Sequence, residues 1–88
     1  MAESRYQAFE AAAGLRSLTK AAGKLGYTQS GVSHLIDSLE DELGLQLLVR
    51  ARNGTQLTEA GEDLLPYVRR LLAAEEDVIS KGGEIKGL

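Results

Sequence analysis

The chain has 88 residues, a net charge of −3, no Cys and one His. That length suffices for one small domain and not for a second core, and the composition excludes disulfides and any Cys/His zinc site. No apolar run approaches the ~20 residues of a membrane span, and the opening MAESRYQAFE lacks the basic start and apolar stretch of a signal peptide. A cytoplasmic protein without membrane attachment is expected.

Residues 4–13 place Tyr6, Phe9 and Ala13 at helical spacing, and Gly14 follows where a left-handed cap would end the helix. Ser17 suits the N-cap of a second helix, 18–25, whose Leu18, Ala21, Ala22 and Leu25 share one face. Gly26 stops it. Thr28 can cap a third helix, 29–43, in which Val32, Ile36, Leu39 and Leu43 form a buried stripe before Gly44. The period then changes. Leu47-Leu48-Val49 and Thr55-Gln56-Leu57 flank a polar stretch with Asn53-Gly54 as a hairpin-turn signal, which predicts a two-stranded wing.

Thr58 can cap a last helix with Glu59, Glu62 and Asp63 near its positive end. Leu64, Leu65, Val68, Leu71, Leu72, Val78 and Ile79 carry the helical period past Pro66 to about residue 80, a length of roughly 30 Å. Gly82-Gly83-Glu84-Ile85-Lys86-Gly87 reads as a hinge or a truncated linker. The expected organisation is a domain over 1–58, a linker helix over 59–80 and a hinge over 81–88.

Two short helices joined by a tight link, the second apolar on one side and polar on the other, make a helix-turn-helix over about 18–37. In that arrangement the second helix enters a major groove. Its solvent face offers Gln29, Ser30, Ser33, His34 and Asp37. Gln pairs with adenine through two hydrogen bonds, Ser reads several base edges and His donates to guanine. A polar helix face alone is more often simply solvated, so the pattern by itself does not decide.

The distribution of charge is more informative than its total. Arg5, Arg16, Lys20, Lys24, Arg50 and Arg52 balance Glu3, Glu10, Asp37, Glu40, Asp41 and Glu42 over residues 1–58, so the whole excess of −3 lies in 59–88. Segments 11–36 and 43–58 contain bases and no acid, beside one acidic block at 37–42. Such separation suits a face that meets phosphate and a back that does not.

The run from Ser17 through Arg50, followed by Leu57-Thr58-Glu59-Ala60-Gly61-Glu62, resembles the N-terminal domain of LysR-type transcription regulators. The shared elements are Ser17 and Thr19 with Ala21-Ala22 and Leu25, Thr28-Gln29, Val32-Ser33, Ile36, Leu39-Glu40, Leu43-Gly44, Leu47, Arg50, Leu57-Thr58 and Ala60-Gly61. The resemblance implies a mainly α, winged helix-turn-helix headpiece with a long dimerising linker helix. It implies sequence-specific binding of double-stranded DNA, with helix 29–43 in the major groove and the wing, 50–55, on phosphate or the minor groove. By position it makes Thr28, Gln29, Ser30, Ser33 and His34 the groove-facing group. It makes Ser17, Thr19, Arg50, Arg52 and Asn53 candidates for phosphate or minor-groove contact. Physical chemistry agrees, since Arg50 and Arg52 alternate with Ala51 and Thr19 lies near a helix N-terminus.

The departures from the family pattern also bear on function. Ser30 and Gly31 stand where Pro and Ala are common, Leu48 where Phe is usual at the wing root, and Asn53 where Arg is common. His34 and Asp37 occupy places that are frequently basic or amide. Asp37 would repel phosphate, though it can accept from a cytosine amino group. A single headpiece is therefore expected to bind weakly, and pairing two raises their effective concentration.

Leu64, Leu65, Val68, Leu71, Leu72, Val78 and Ile79 form two neighbouring stripes too long for the headpiece to cover. An apolar surface of that extent marks an interface, and a two-fold homodimer on a palindromic site is expected. The alternative is a winged-helix dimerising protein-interaction module without specific DNA binding, which would use the acidic block Glu40–Glu42 and the acidic linker as its working surface. An enzyme is not expected, because there is no Cys, one His and no phosphate-cradling glycine loop. Nor is any metal or other cofactor, since His34 lacks ligand partners. In the family a larger C-terminal domain binds a small-molecule effector, so the chain reads as a headpiece or fragment whose effector site lies elsewhere.

Overall fold

The computed structural model describes residues 4–51 and 53–87. Helix α1 (Ser4–Leu15) buries Ala8, Phe9, Ala11 and Ala12, and its small side chains let α2 (Leu18–Leu25) and α3 (Gln29–Leu43) approach closely around the Phe9 ring. Helix α2 contributes Ala21 and Ala22, and α3 contributes Val32, Ile36 and Leu39. Leu47 and Leu48 close the core from the segment after α3. Each large apolar side chain removed from water here is worth about 1.5–3 kcal/mol. Leu43, expected on the buried stripe, lies at the end of α3 and is exposed.

Local chemistry sets the helix starts. Ser17 Oγ accepts from the Lys20 N–H at 3.0 Å, Thr28 Oγ1 from Gly31 at 3.0 Å and Thr58 Oγ1 from Gly61 at 3.0 Å. Each satisfies a donor that the first helical turn leaves unpaired.

The end of α1 differs from expectation. Gly14 is helical, and the chain reverses two residues later at Arg16, whose φ is 54°. The reason is tertiary: the Arg16 carbonyl accepts from the Thr55 N–H at 3.1 Å, so the turn is placed by the wing.

The wing pairs β1 (Leu48–Ala51) with β2 (Gly54–Leu57) antiparallel, with Leu48 opposite Leu57 and Ala51 opposite Gly54. Gly54 therefore belongs to a strand and not, as the Asn53-Gly54 signal predicts, to the turn. Its φ is 124°, and a Cβ there would lie 2.8 Å from the Arg16 carbonyl oxygen, so the start of β2 needs glycine for both conformation and space.

Helix α4 (Glu59–Gly87) has 29 residues, roughly 44 Å of helix. It runs through Pro66 and also through Gly82 and Gly83, neither of which takes a positive φ. The hinge expected over 81–88 is thus helical as far as Gly87; the two glycines cost helical propensity but meet no competing turn. Its start is pressed against the core, where a Cβ on Gly61 would fall 2.2 Å from the Leu47 carbonyl oxygen. This approach buries Leu65 and Val68 in the headpiece, with Leu64 and Leu72 packed against its edge. Leu65 and Val68, expected at a dimer interface, are therefore core residues, because the headpiece covers more of the first turns than their spacing revealed. Among the described residues no helix is long and apolar enough to cross a membrane.

Candidate nucleic-acid interface

The turn between α2 and α3 brings the N-terminus of α2 beside that of α3. Thr19 Oγ1 donates to Gln29 Oε1 at 2.9 Å, and both side chains are exposed. The bond holds the Gln29 amide oxygen toward α2 and leaves its amide NH₂ as the donor end. Thr28 and Ser30 hydroxyls lie 3.3 Å apart on the same exposed turn, and His34 is exposed one turn further along. Ser33 is half-buried.

The wing returns to this face. Arg50 Nη1 donates to Ser33 Oγ at 2.7 Å, and Nη2 donates to Asp37 Oδ1 at 2.7 Å. A concavity lined by Ser17, Thr19, Gln29, Arg50 and Gly54 joins helix-turn-helix to wing. The structure thus brings Thr28, Gln29, Ser30, Ser33, His34, Asp37, Thr19 and Arg50 to one side of the molecule. Ser17 is half-buried at its rim with its hydroxyl engaged as a cap. Asn53 is exposed near the wing tip, whereas Arg52 lies outside the described residues.

Arg50 differs most from its expected state. It was expected to extend toward phosphate, but it is tied to α3, and the acid expected to repel phosphate carries its own counter-charge.

The acidic block is also engaged. Glu40 Oε2 accepts from the backbone N–H groups of Leu47 at 2.6 Å and Leu48 at 3.2 Å, which holds the chain entering the wing. Glu42 pairs with Arg5 at 2.8 Å, joining α3 to α1. Glu40 and Glu42 thus serve the fold, while Asp41 between them stays exposed.

Beyond the headpiece, α4 leaves Leu71, Val78 and Ile79 exposed, at 49%, 71% and 60%. Sequence reasoning missed Tyr67 and Ile85, also exposed on α4 at 64% and 62%. Both continue the Leu71 and Val78 stripe, Tyr67 four residues before Leu71 and Ile85 seven after Val78. Ile85 was hidden by the reading of residues 82–87 as a hinge, whereas α4 is helical as far as Gly87.

Residues 4–62 match the family described as bacterial regulatory helix-turn-helix protein, lysR family. The chain belongs to the LysR family. This LysR-family chain is 41% identical over 73 residues to the HTH-type transcriptional regulator YvbU of Bacillus subtilis, covering 82% of itself and 25% of that protein. It is 50% identical over 62 residues to the HTH-type transcriptional activator AmpR of Pseudomonas aeruginosa, covering 70% of itself and 21% of AmpR. The chain spans about a quarter or less of the length of the relatives it matches. Among solved structures, the BenM DNA-binding domain in complex with catB site 1 DNA superposes with a TM-score of 0.89 at 34% identity. That match covers 97% of this chain and 94% of the BenM chain. The CbnR DNA-binding domain complexed with DNA gives a TM-score of 0.86 at 28% identity, covering 97% and 98%. The winged helix-turn-helix with a long C-terminal helix is therefore a LysR-family architecture.

Proposed function

We propose that the chain is the sequence-specific, double-stranded DNA-binding headpiece of a LysR-type transcription regulator acting in the cytoplasm, without enzymatic activity or cofactor of its own. Helix α3 enters the major groove with Thr28, Gln29, Ser30, Ser33 and His34 toward the bases. The wing, 50–55, lies along phosphate or the minor groove with Arg52 and Asn53, and Ser17 and Thr19 meet the backbone at the start of α2. Two copies pair through α4, using Leu71, Val78 and Ile79 with the flanking Leu64 and Leu72, and so address a palindromic site. In a regulator of this kind a small-molecule effector acts through a separate C-terminal domain and not through the headpiece.

The observation that carries this reading is the exposed turn of α3, where Thr19 orients the Gln29 amide on an otherwise solvent-facing surface. The likeness to the BenM domain, which was solved with DNA, supports it. The balanced charge of residues 1–58 makes one headpiece a weak electrostatic binder, and the exposed apolar face of α4 supplies the means of doubling it. The test is a gel-shift titration across salt with half-sites selected from random DNA. Binding that weakens steeply with salt and falls with Gln29→Ala supports the reading; no DNA affinity even at low salt overturns it.

A further inference from the structure

We propose that Asp37 reads a base, selecting cytosine, and that Arg50 is its positioning residue. The inference rests on the DNA-binding reading above. It starts from a conflict on α3: a carboxylate lies two helical turns into the recognition helix, on the face turned to a groove walled by phosphates. Left alone, such a charge would repel DNA.

The structure resolves the conflict internally. The Arg50 guanidinium donates to Asp37 Oδ1 at 2.7 Å and to Ser33 Oγ at 2.7 Å, so a cation from β1 is fixed against the helix between residues one turn apart. A charged, oriented pair of this kind is stronger than a neutral hydrogen bond and holds the carboxylate in one place. The pair is near-neutral as a unit, which removes the main cost of placing an acid in the groove. Asp37 nevertheless remains about half exposed, at 54%, so Arg50 does not cover it.

The remaining acceptor capacity of Asp37 determines which base suits it. An ionised carboxylate only accepts. In the major groove guanine presents two acceptors and thymine an acceptor with a methyl group, and both are repelled or unsatisfied. Adenine offers a donor with an acceptor beside it. Cytosine presents its amino donor with no acceptor on its own major-groove edge, so it is the base an acceptor-only group favours. Arg50, with Nη1 and Nη2 committed to Ser33 and Asp37, acts through Asp37 and not as a free phosphate anchor.

The experiment uses the 88-residue chain, selection from random double-stranded DNA, and titration of single-column variants of the winning site. Wild type is expected to select cytosine at one column per half-site and to lose on the order of 10-fold in affinity when that base is changed. Asp37→Asn should move the preference at that column to adenine, which an amide can pair through both its groups. Asp37→Ala should flatten that column and no other. Arg50→Gln should weaken the cytosine preference, and Arg50→Lys, which keeps the charge, should restore part of it. If Asp37→Ala changes affinity equally for all sequences, Asp37 tunes charge only and the inference is overturned. It is likewise overturned if wild type binds selected DNA with no cytosine column that responds to Asp37. No binding by wild type at low salt would instead bring down the DNA-binding reading, and this inference with it.

Discussion

Replacing Gly61 by alanine tests the packing that joins α4 to the headpiece. The added Cβ would lie 2.2 Å from the Leu47 carbonyl oxygen and 3.0 Å from Leu57 Cδ2. The first distance is about 1 Å short of the roughly 3.3 Å at which carbon meets a carbonyl oxygen without clash. That carbonyl cannot easily retreat, because it accepts from the Thr58 N–H at 3.0 Å while the Leu47 N–H is held by Glu40 at 2.6 Å. Helix α4 must therefore shift by about 1 Å, loosening Leu65 and Val68 in the core. Overpacking of this kind costs about 1–3 kcal/mol or more, against a helix-propensity gain of about 1 kcal/mol from Gly to Ala. With rigid backbone as the obstacle, a net loss of about 2 kcal/mol is expected. For a domain of this size that lowers Tm by roughly 8–16 °C. Gly23→Ala is the control, since a Cβ there meets nothing within 4 Å and the same propensity gain should raise Tm by a few degrees. Thermal unfolding followed by circular dichroism at fixed protein concentration measures both. Equal Tm shifts of the same sign for the two variants would refute the argument, because propensity alone would then account for both.

Three further outcomes follow from the same geometry. Glu40→Ala leaves the Leu47 and Leu48 N–H groups without their acceptor, and urea unfolding should register a loss of about 2 kcal/mol; an unchanged midpoint would show that water replaces the carboxylate. Thr19→Val removes the hydroxyl that orients Gln29; under the proposed DNA-binding reading, site selection should show specificity falling at one or more columns while a melting curve shows stability near wild type. Val78→Lys places a charge on the exposed face of α4, and sedimentation should show a shift from dimer to monomer with the headpiece still folded; a dimer of undiminished affinity would locate the interface elsewhere.

The extent to which the sequence revealed this molecule depended on the range of the interaction concerned. Ser17, Thr28 and Thr58 were legible as helix caps because each acts on an N–H three residues away. The boundaries of α2 and α3 and the existence of the wing followed from equally local signals. Arg16 was not legible: its left-handed conformation is imposed by a hydrogen bond from Thr55, and the nearer Gly14 matched the usual rule better. Leu65 and Val68 share a helix and a period with Leu71 and Val78, and only the position of the headpiece divides core from surface. On the candidate site, the polar face of α3 could be read from spacing. The Asp37 and Arg50 pair could not, because it spans 13 residues and depends on where β1 crosses α3.

The bond from Thr55 to Arg16 has a consequence for how such a protein can change over evolutionary time. It anchors the start of β2, next to the wing's turn, to the turn that opens the helix-turn-helix, and Gly54 permits the close approach. Register is thereby set at Thr55, so an exposed residue beyond it such as Asn53 can be exchanged or recharged without disturbing the paired strands. The mount is stationary while the exposed position beyond it is replaceable, so a lineage can vary charge there without repacking the headpiece.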